Sequence, residues 1–576
     1  MGANGIYGLS GSGLDIESLV KMGMMNKQSQ YDKMYQNEMK QEWLKEAYVE
    51  VYDSMKTFKA NMTDFKMQSN MSAMKATSTN NDVVSVTANG AAAAMNHKVS
   101  VDAIASNAYL MTGMNGDVPA TIKRADGATN STSTYLSDVI YGNRLVGSGT
   151  DADGNNTYTI KQADGSEKTF TGSEAAITIN LKDSSDANAK THTVTMTYDE
   201  IFSDKKTLSD FASAFSKSGA NIQGGYDTAN DSFSLYNKTS GEKNIISLEA
   251  ASDDAAVLLN NLQLASYDAQ NNTLGSIQTF ANDGNMVEAA KGTNAKATID
   301  GKVYNLETNK ITVAGVTYNF NNVSAGQTST VSVSQDTDTI VDNVKKFVDM
   351  YNTLLDSLND KLSEEKYSDY KPLTKEQEKD MSEDQIKKWN EKAKSGLLYH
   401  NNEVRSLVSD MREAIYTPVN AVDSKYNSLS AIGITTTTTK GHITLDEDKL
   451  RKALNEDPDC VYQLFASDQD SSYIAGSTNT NKLTSYEKKE DYKNTGIANR
   501  LYNAMTENMS IFEDYAGTSK ATDDQSYLGK LITNMQTKMT SFQTLMKSYE
   551  NKLYDKYDAM EVALSKLGTQ LSYITG

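Results

Sequence analysis

LKEAYVEVYDSMKTFKANMTDF, residues 44–65, sets the terms of the fold. Leu44, Tyr48, Val51, Met55, Phe58, Met62 and Phe65 step through it by alternate fours and threes, the spacing of one apolar stripe along a helix. The far end of the chain repeats the pattern. Ile532, Met535, Met539, Phe542, Met546, Tyr549 and Leu553 are followed by Tyr557, Met560, Leu564, Leu567, Leu571 and Ile574, with one four-four step across Leu553. Such a stutter locally unwinds a supercoil. A stripe of period 3.5 is buried only when another helix covers it. The two stripes are therefore expected to pair as antiparallel helices, or to pair with the ends of neighbouring copies. Removing residues 540–576 should on this reading uncover Phe58 and Phe65.

Working outward, the 63 kDa chain is too long for one core and suggests about three or four domains at roughly 150 residues each. It carries 56 basic and 75 acidic residues, net −19, which argues against binding a phosphate backbone. Cys460 is the single cysteine in 576 residues, so an intrachain disulfide and a thiolate metal site are excluded. No apolar run reaches the ~18 residues of a membrane span. Residues 1–12 have no basic, apolar and small-residue succession of a secretory signal, so export is expected without a cleavable one.

Residues 1–13 hold five glycines and read as a flexible lead. Asp15 is a plausible N-cap, and Gly23 weakens the helix that follows by about 1 kcal/mol. Ten methionines fall between Met22 and Met74, giving an adaptable packing surface. From residue 80 the period changes to two. Val84, Val86 and Ala88, then Val99, Val101 and Ala103, predict strands joined through a turn region around Asn89–Gly90. Residues 105–206 have all-β composition with long polar loops. Thr207–Ser218 is a short amphipathic helix, and Asn221–Tyr226 and Asp231–Tyr236 a strand pair. Further strands lie at 297–304, 311–320 and 329–334. Helices are predicted over 338–362, 401–416 and 446–466, around a highly charged 363–396, and a polar 467–495 leads to the last helices.

Five stretches together resemble the flagellar filament cap family, hook-associated protein 2. They are Gly8–Ile16 with Trp43–Val51; Thr207–Leu208, Phe211, Gly219, Tyr226–Asp227 and Lys238–Glu242; Ala297–Gly301, Gly315–Asn319 and Val331–Asp336; Phe347–Asn352; and Ile432–Ile434, Leu445–Asp446, Lys449–Leu450, Val461 and Leu464–Phe465. The family usually reads Ala, Gly and an aromatic before the strand at Val99–Val101. Here the run is Ala94-Met-Asn96-His97-Lys98, and Asn96 is expected to take the left-handed turn.

The resemblance implies an α+β multidomain protein, a long terminal antiparallel helical coiled-coil stem carrying β-rich head domains. Residues 1–43 would be the lead and terminal helix, or leg. Residues 44–109 would form a coiled-coil helix and the first strands of the inner head, and 110–294 two inserted β-rich outer head domains. Residues 295–531 would complete the inner head, and 532–576 form the returning leg. The expected assembly interface is Leu44, Tyr48, Val51, Met55, Phe58, Met62, Phe65, Met539, Phe542, Met546, Tyr549, Leu553, Met560, Leu564, Leu567 and Leu571. The implied role is a homo-oligomeric ring at the extracellular tip of a flagellum, under which exported flagellin folds and inserts. A hook-associated junction protein and the export apparatus with its chaperone would be further partners. Alternatives are another axial protein (a junction protein or flagellin) or an adhesin acting through the outer β domains.

Catalytic and metal constellations do not form. Asp151–Asn156 starts like a calcium loop but has Asn156 in place of the sixth-position Gly and Gln162 in place of the twelfth-position Glu, so it reads as a polar turn. Gly8-x-x-Gly-x-Gly13 follows no strand. His97, His192, His400 and His442 lack ligand spacing, and Cys460 reads as a packed residue. No cofactor and no enzymatic activity are expected.

Overall fold

A computed structural model describes residues 15–115, 118–268, 273–282, 287–422, 425–436, 440–467, 491–519 and 524–575. The glycine-rich lead, with Gly8–Gly13 of the first resembling stretch, and most of the polar 467–495 fall outside these residues. The chain divides into two compact units, residues 74–335 and the two flanking stretches together.

The flanking stretches make a helical unit. Ile16–Met62 is one helix of 47 residues, about 70 Å long at 1.5 Å per residue. Asp15 caps it, accepting the Ser18 N–H at 3.1 Å. Tyr527–Thr575 is a helix of 49 residues. Between them in sequence lie Thr337–Ser363, capped by Asp336, and Asn402–Tyr416, capped by Asn401. The segment 446–466, expected to be helical throughout, is broken into Glu447–Glu456 and Cys460–Ala466. Pro458 explains the break: the residue before a proline is pushed off the helical region, and Asp457 sits at φ −139, ψ 97. The charged 363–396 holds two short helices, Lys375–Lys379 and Glu383–Lys394, each opened by a reciprocal capping box, Thr374 with Gln377 and Ser382 with Gln385.

One core fills this unit. Tyr48, Val51, Met55, Phe58 and Met62 of the first helix meet Ile340, Val344, Phe347 and Tyr351 of Thr337–Ser363, together with Leu407, Met411, Leu501 and Phe512. Arg500 is buried in it at 1% exposure. Its guanidinium donates to the carbonyls of Ala414, Thr417, Pro418, Tyr492 and Lys493. Burial pulls its pKa down to about 10. Cys460 is fully buried, and burial pushes its thiol up to about 12, which makes it a packed, unreactive side chain.

The inserted unit, Met74–Gln335, is built of antiparallel sheets. Its first core lies between a five-stranded sheet, in the order Met74–Ser78, Ser329–Gln335, Asn96–Ala103, Ala295–Ile299, Lys302–Leu306, and a three-stranded one, Val84–Ala88, Val316–Phe320, Lys310–Val313. The strands predicted at 84–88 and 99–103 both form, but they enter different sheets: Val84–Ala88 pairs with Val316–Phe320 and Asn96–Ala103 with Ala295–Ile299 and Ser329–Gln335. Period-two patterning fixes which face a strand buries, not its partner. Asn96 is the first residue of its strand and does not have a positive φ, so the left-handed turn expected there is not made. The next residue, His97, is buried, with Nδ1 2.6 Å from Asp300 Oδ2. Asp300 itself takes the left-handed backbone at φ 50.

A second core joins Asn107–Thr112 to Ile222–Asp227 and Ser232–Ser240, and Ala175–Ser184 to His192–Thr197 and Asn244–Ala250. Leu208–Lys217 covers it with Leu208, Phe211 and Phe215 inward, capped reciprocally by Thr207 and Asp210. The Asp151 carboxylate accepts the N–H groups of Asp153 and Asn155 and the Asn155 amide, a turn closed on itself.

Candidate assembly interface

The two apolar stripes do not cover one another. Tyr48, Val51, Met55, Phe58, Met62 and Phe65 are each at most 5% exposed, and Leu44 packs against the same core. Their partners are the middle helices. The Tyr48 ring lies 5.1 Å from Phe512 and 4.8 Å from Tyr515, and Phe65 meets Phe347 edge-on at 5.6 Å. The Tyr48 hydroxyl accepts from Asn401 Nδ2 at 2.7 Å and donates to Glu403 at 3.1 Å. Burial, with Glu403 alongside, raises its pKa.

The C-terminal helix packs instead on the less regular first part of the first helix. Lys45 pairs with Asp524. Gln536 Nε2 donates to Glu38 at 2.8 Å and to Glu42 at 3.3 Å. Gln543 Nε2 donates to the Tyr31 hydroxyl at 2.6 Å. The Lys27 ammonium lies 5.7 Å from the Phe542 ring centre and 6.0 Å from that of Tyr549. A Cβ placed on Gly23 would stand 2.7 Å from Leu553 Cδ1. Rising partners on one helix meet falling partners on the other, so the pair is antiparallel as expected, with a register that differs from the expected one.

Three groups of the expected interface residues result. Leu44 to Phe65 lie in the core of the helical unit. Met539 and Leu553, each 8% exposed, lie buried on the returning helix, with Phe542 and Met546 partly buried and Tyr549 38% exposed. With Leu553 opposite Gly23, residues beyond about 560 run past Ile16. Met560, Leu564, Leu567 and Leu571 are there 37%, 41%, 60% and 63% exposed. Pattern reading missed the contact surface of residues 16–43 because polar groups carry much of it. Glu38, only 5% exposed, and Gln536 give no apolar signal. Gly23 was legible only as a weak point, whereas it makes room for Leu553.

Among the described residues no group of three His, Cys, Asp or Glu is placed to hold a metal ion, and no helix is long and apolar enough to cross a membrane. Residues 12–108 match the family model described as flagellar hook-associated protein 2 N-terminus, and residues 292–569 the one described as its C-terminus. The chain belongs to the flagellar hook-associated protein 2 family.

The N-terminal match contains the first long helix and the C-terminal match most of the last one, and the unmatched residues 109–291 lie within the inserted β unit. Among proteins of this family, flagellar hook-associated protein 2 of Halalkalibacterium halodurans is 27% identical over 97% of each chain. That of Thermotoga maritima is 26% identical over 47% of this chain and 38% of its own. The crystal structure of the flagellar cap protein FliD D1-D2-D3 domains from Escherichia coli aligns with a TM-score of 0.48 and 18% identity, over 85% of this chain and 99% of that one.

Proposed function

We propose that this chain is the filament-capping protein of a bacterial flagellum, a non-enzymatic assembly factor at the extracellular tip. Copies form a ring, and exported flagellin folds and inserts beneath it rather than diffusing away. The family match at both ends of the chain supports the role. The observation that carries the mechanism is the end of the C-terminal helix, where Leu564, Leu567 and Leu571 stay exposed beyond the start of the first helix. A helix end with an uncovered apolar seam is marginal alone and gains stability by docking on another helix. The hook-associated junction protein, flagellin and the export apparatus with its chaperone are the proposed partners. No observation favours the junction-protein, flagellin or adhesin alternatives.

The test is Leu564→Asp combined with Leu567→Asp in cells lacking the native protein. Both positions are exposed, so the variant should purify folded with unchanged helix content. It should fail to restore filament growth and should leave flagellin as monomer in the medium, because two adjacent charges cannot be buried unpaired. Full complementation would remove this helix end from the docking role.

A further inference from the structure

A cleft of about 510 Å³ lies in the helical unit, lined by the first helix, the segment 366–372 and residues around Ser395–Gly396. Lys33 and Lys40 line one wall and Lys366 and Lys371 the other, and among the described residues no Asp or Glu lines it. None of these four ammonium groups makes an ion pair with a carboxylate among the described residues. In a chain of net charge −19, four lysines lining one cleft without an ion-paired carboxylate stand out. Like charges gathered along one groove favour an anion among them.

The walls are held in place without one. Gln36 Nε2 donates to the Pro372 carbonyl at 2.8 Å, and the Trp389 indole donates to the Lys371 carbonyl at 2.8 Å. Gly396, at φ 72, lets the backbone of Lys366 come so near that a Cβ would stand 2.8 Å from its Cα. The Gly396 N–H donates to Glu364 at 3.0 Å. The cleft is therefore preorganised for an anion rather than assembled around one.

The aromatic side chains narrow the class of ligand. Tyr367 and Tyr370 line the cleft, but their rings are engaged. The Lys392 ammonium is 4.7 Å from the Tyr370 ring centre and 5.6 Å from that of Tyr367, and Trp389 lies 4.6 Å from Tyr370. Rings so engaged stack poorly on a sugar, which disfavours an acidic glycan. Charge alone, spread along a groove, suits an extended peptide bearing carboxylates. Lys33 and Lys40 stand two helical turns apart, about 10.5 Å, a distance an extended chain covers in about three residues.

We propose that this groove binds a carboxylate-rich segment of a second copy of the chain. The same 364–396 segment offers the complement: Glu376, Asp380, Glu383 and Asp384 are exposed around its two short helices. An acidic stretch of one copy seated in the lysine groove of the next is a heterologous contact, which propagates round a ring or along an open helix. The proposal draws on the part of the capping reading in which copies assemble. It is read in solution, so its failure is distinct from failure of filament growth.

The experiment titrates the full chain against a fluorescent peptide of residues 374–386 by anisotropy. Sedimentation velocity of the full chain is measured alongside. The peptide should bind, more weakly as salt rises, and its counterpart with Gln and Asn for every Glu and Asp should not. Lys33→Glu, Lys40→Glu and Lys366→Glu together should lower both peptide affinity and self-association at least tenfold. Lys75→Glu, Lys123→Glu and Lys310→Glu, an equal charge change on the other unit, should change neither. Adding Glu376→Lys, Asp380→Lys and Glu383→Lys to the first triple should restore self-association. Equal binding of the amide peptide, or unchanged self-association of the first triple, overturns the proposal. So does a sulfated polysaccharide that binds the parent and not the first triple while self-association is the same in both, which would make the groove a glycan site.

Discussion

Arg500 shows how much one side chain can hold. Its guanidinium serves five carbonyls from two separate stretches of chain, and among the described residues no carboxylate pairs with it. Arg500→Leu should lower the stability of the helical unit by about 3 kcal/mol or more, since buried acceptors are left without donors. Urea unfolding followed at 222 nm measures it. Arg500→Lys should recover little, because a lysine cannot reproduce the planar fork. Glu42 makes a prediction of opposite sign. Burial, reinforced by neighbouring Glu38, raises its pKa above 4.5. A carboxyl raised on folding is penalised in its charged form, so the penalty is fully present above the folded pKa and absent below 4.5. Glu42→Gln should therefore raise the melting temperature at pH 7, and that gain should shrink to nothing as pH falls below 4.5. A gain independent of pH would place its cause outside ionisation.

At the scale of elements, the stripe at 44–65 was legible because a large apolar residue recurs every third or fourth position, and the structure buries it from Tyr48 to Phe65 with Leu44 partly buried. Its partner was not legible. Heptad spacing states that a helix face must be covered and leaves open by what. Phe347, Tyr351 and Phe512 sit on helices that present apolar faces of their own to the same core. The correction changes the outcome of a truncation. Removing residues 540–576 should leave Phe58 and Phe65 buried and the near-ultraviolet signal of the helical core intact. The helix should instead fray over about residues 16–34, where Tyr31, Lys27 and Gly23 lose Gln543, Phe542 and Leu553. Amide exchange resolves this: new fast exchange confined to that stretch is expected, and fast exchange at 55–65 would contradict the observed packing. Gly23→Leu should produce a weaker version of the same pattern, because the larger side chain meets Leu553 directly. Pro458 and the two capping boxes at Thr374 and Ser382 are local signals of helix ends, the first of them masked by the apolar periodicity that runs through it.

At the scale of the molecule, the inserted unit begins and ends on adjacent strands, with Met74 opposite Gln335 and Ser78 opposite Val331. A segment closed in this way should fold alone. Residues 74–335 expressed separately should give a cooperative β-type melting transition. A chain in which they are replaced by a short Gly-Ser link should retain the helical spectrum of the remainder. Loss of helix in the linked chain would show that the two units depend on each other. Strand periodicity made the β character of this unit readable, while the separate sheets joined by Val84–Ala88 and Asn96–Ala103 came from pairings such as Val84 with Phe320 and Val99 with Ile299, far apart in the chain, which no local pattern carries.

The pairing of Met74–Ser78 with Ser329–Gln335 also bears on the order in which the chain acquires its structure. Phe65 and Phe347 touch in the helical core, yet everything from Met74 to Gln335 lies between them. Bringing them together across an unstructured loop of that length carries a closure entropy that grows with the logarithm of the loop. Once the two strands are zipped, the effective loop is only the few residues on either side, and closure becomes easier by about 2 kcal/mol. The strand pair acts as a clasp. The insertion should fold first and the helical core condense afterwards, so weakening the clasp should slow formation of a core it does not touch.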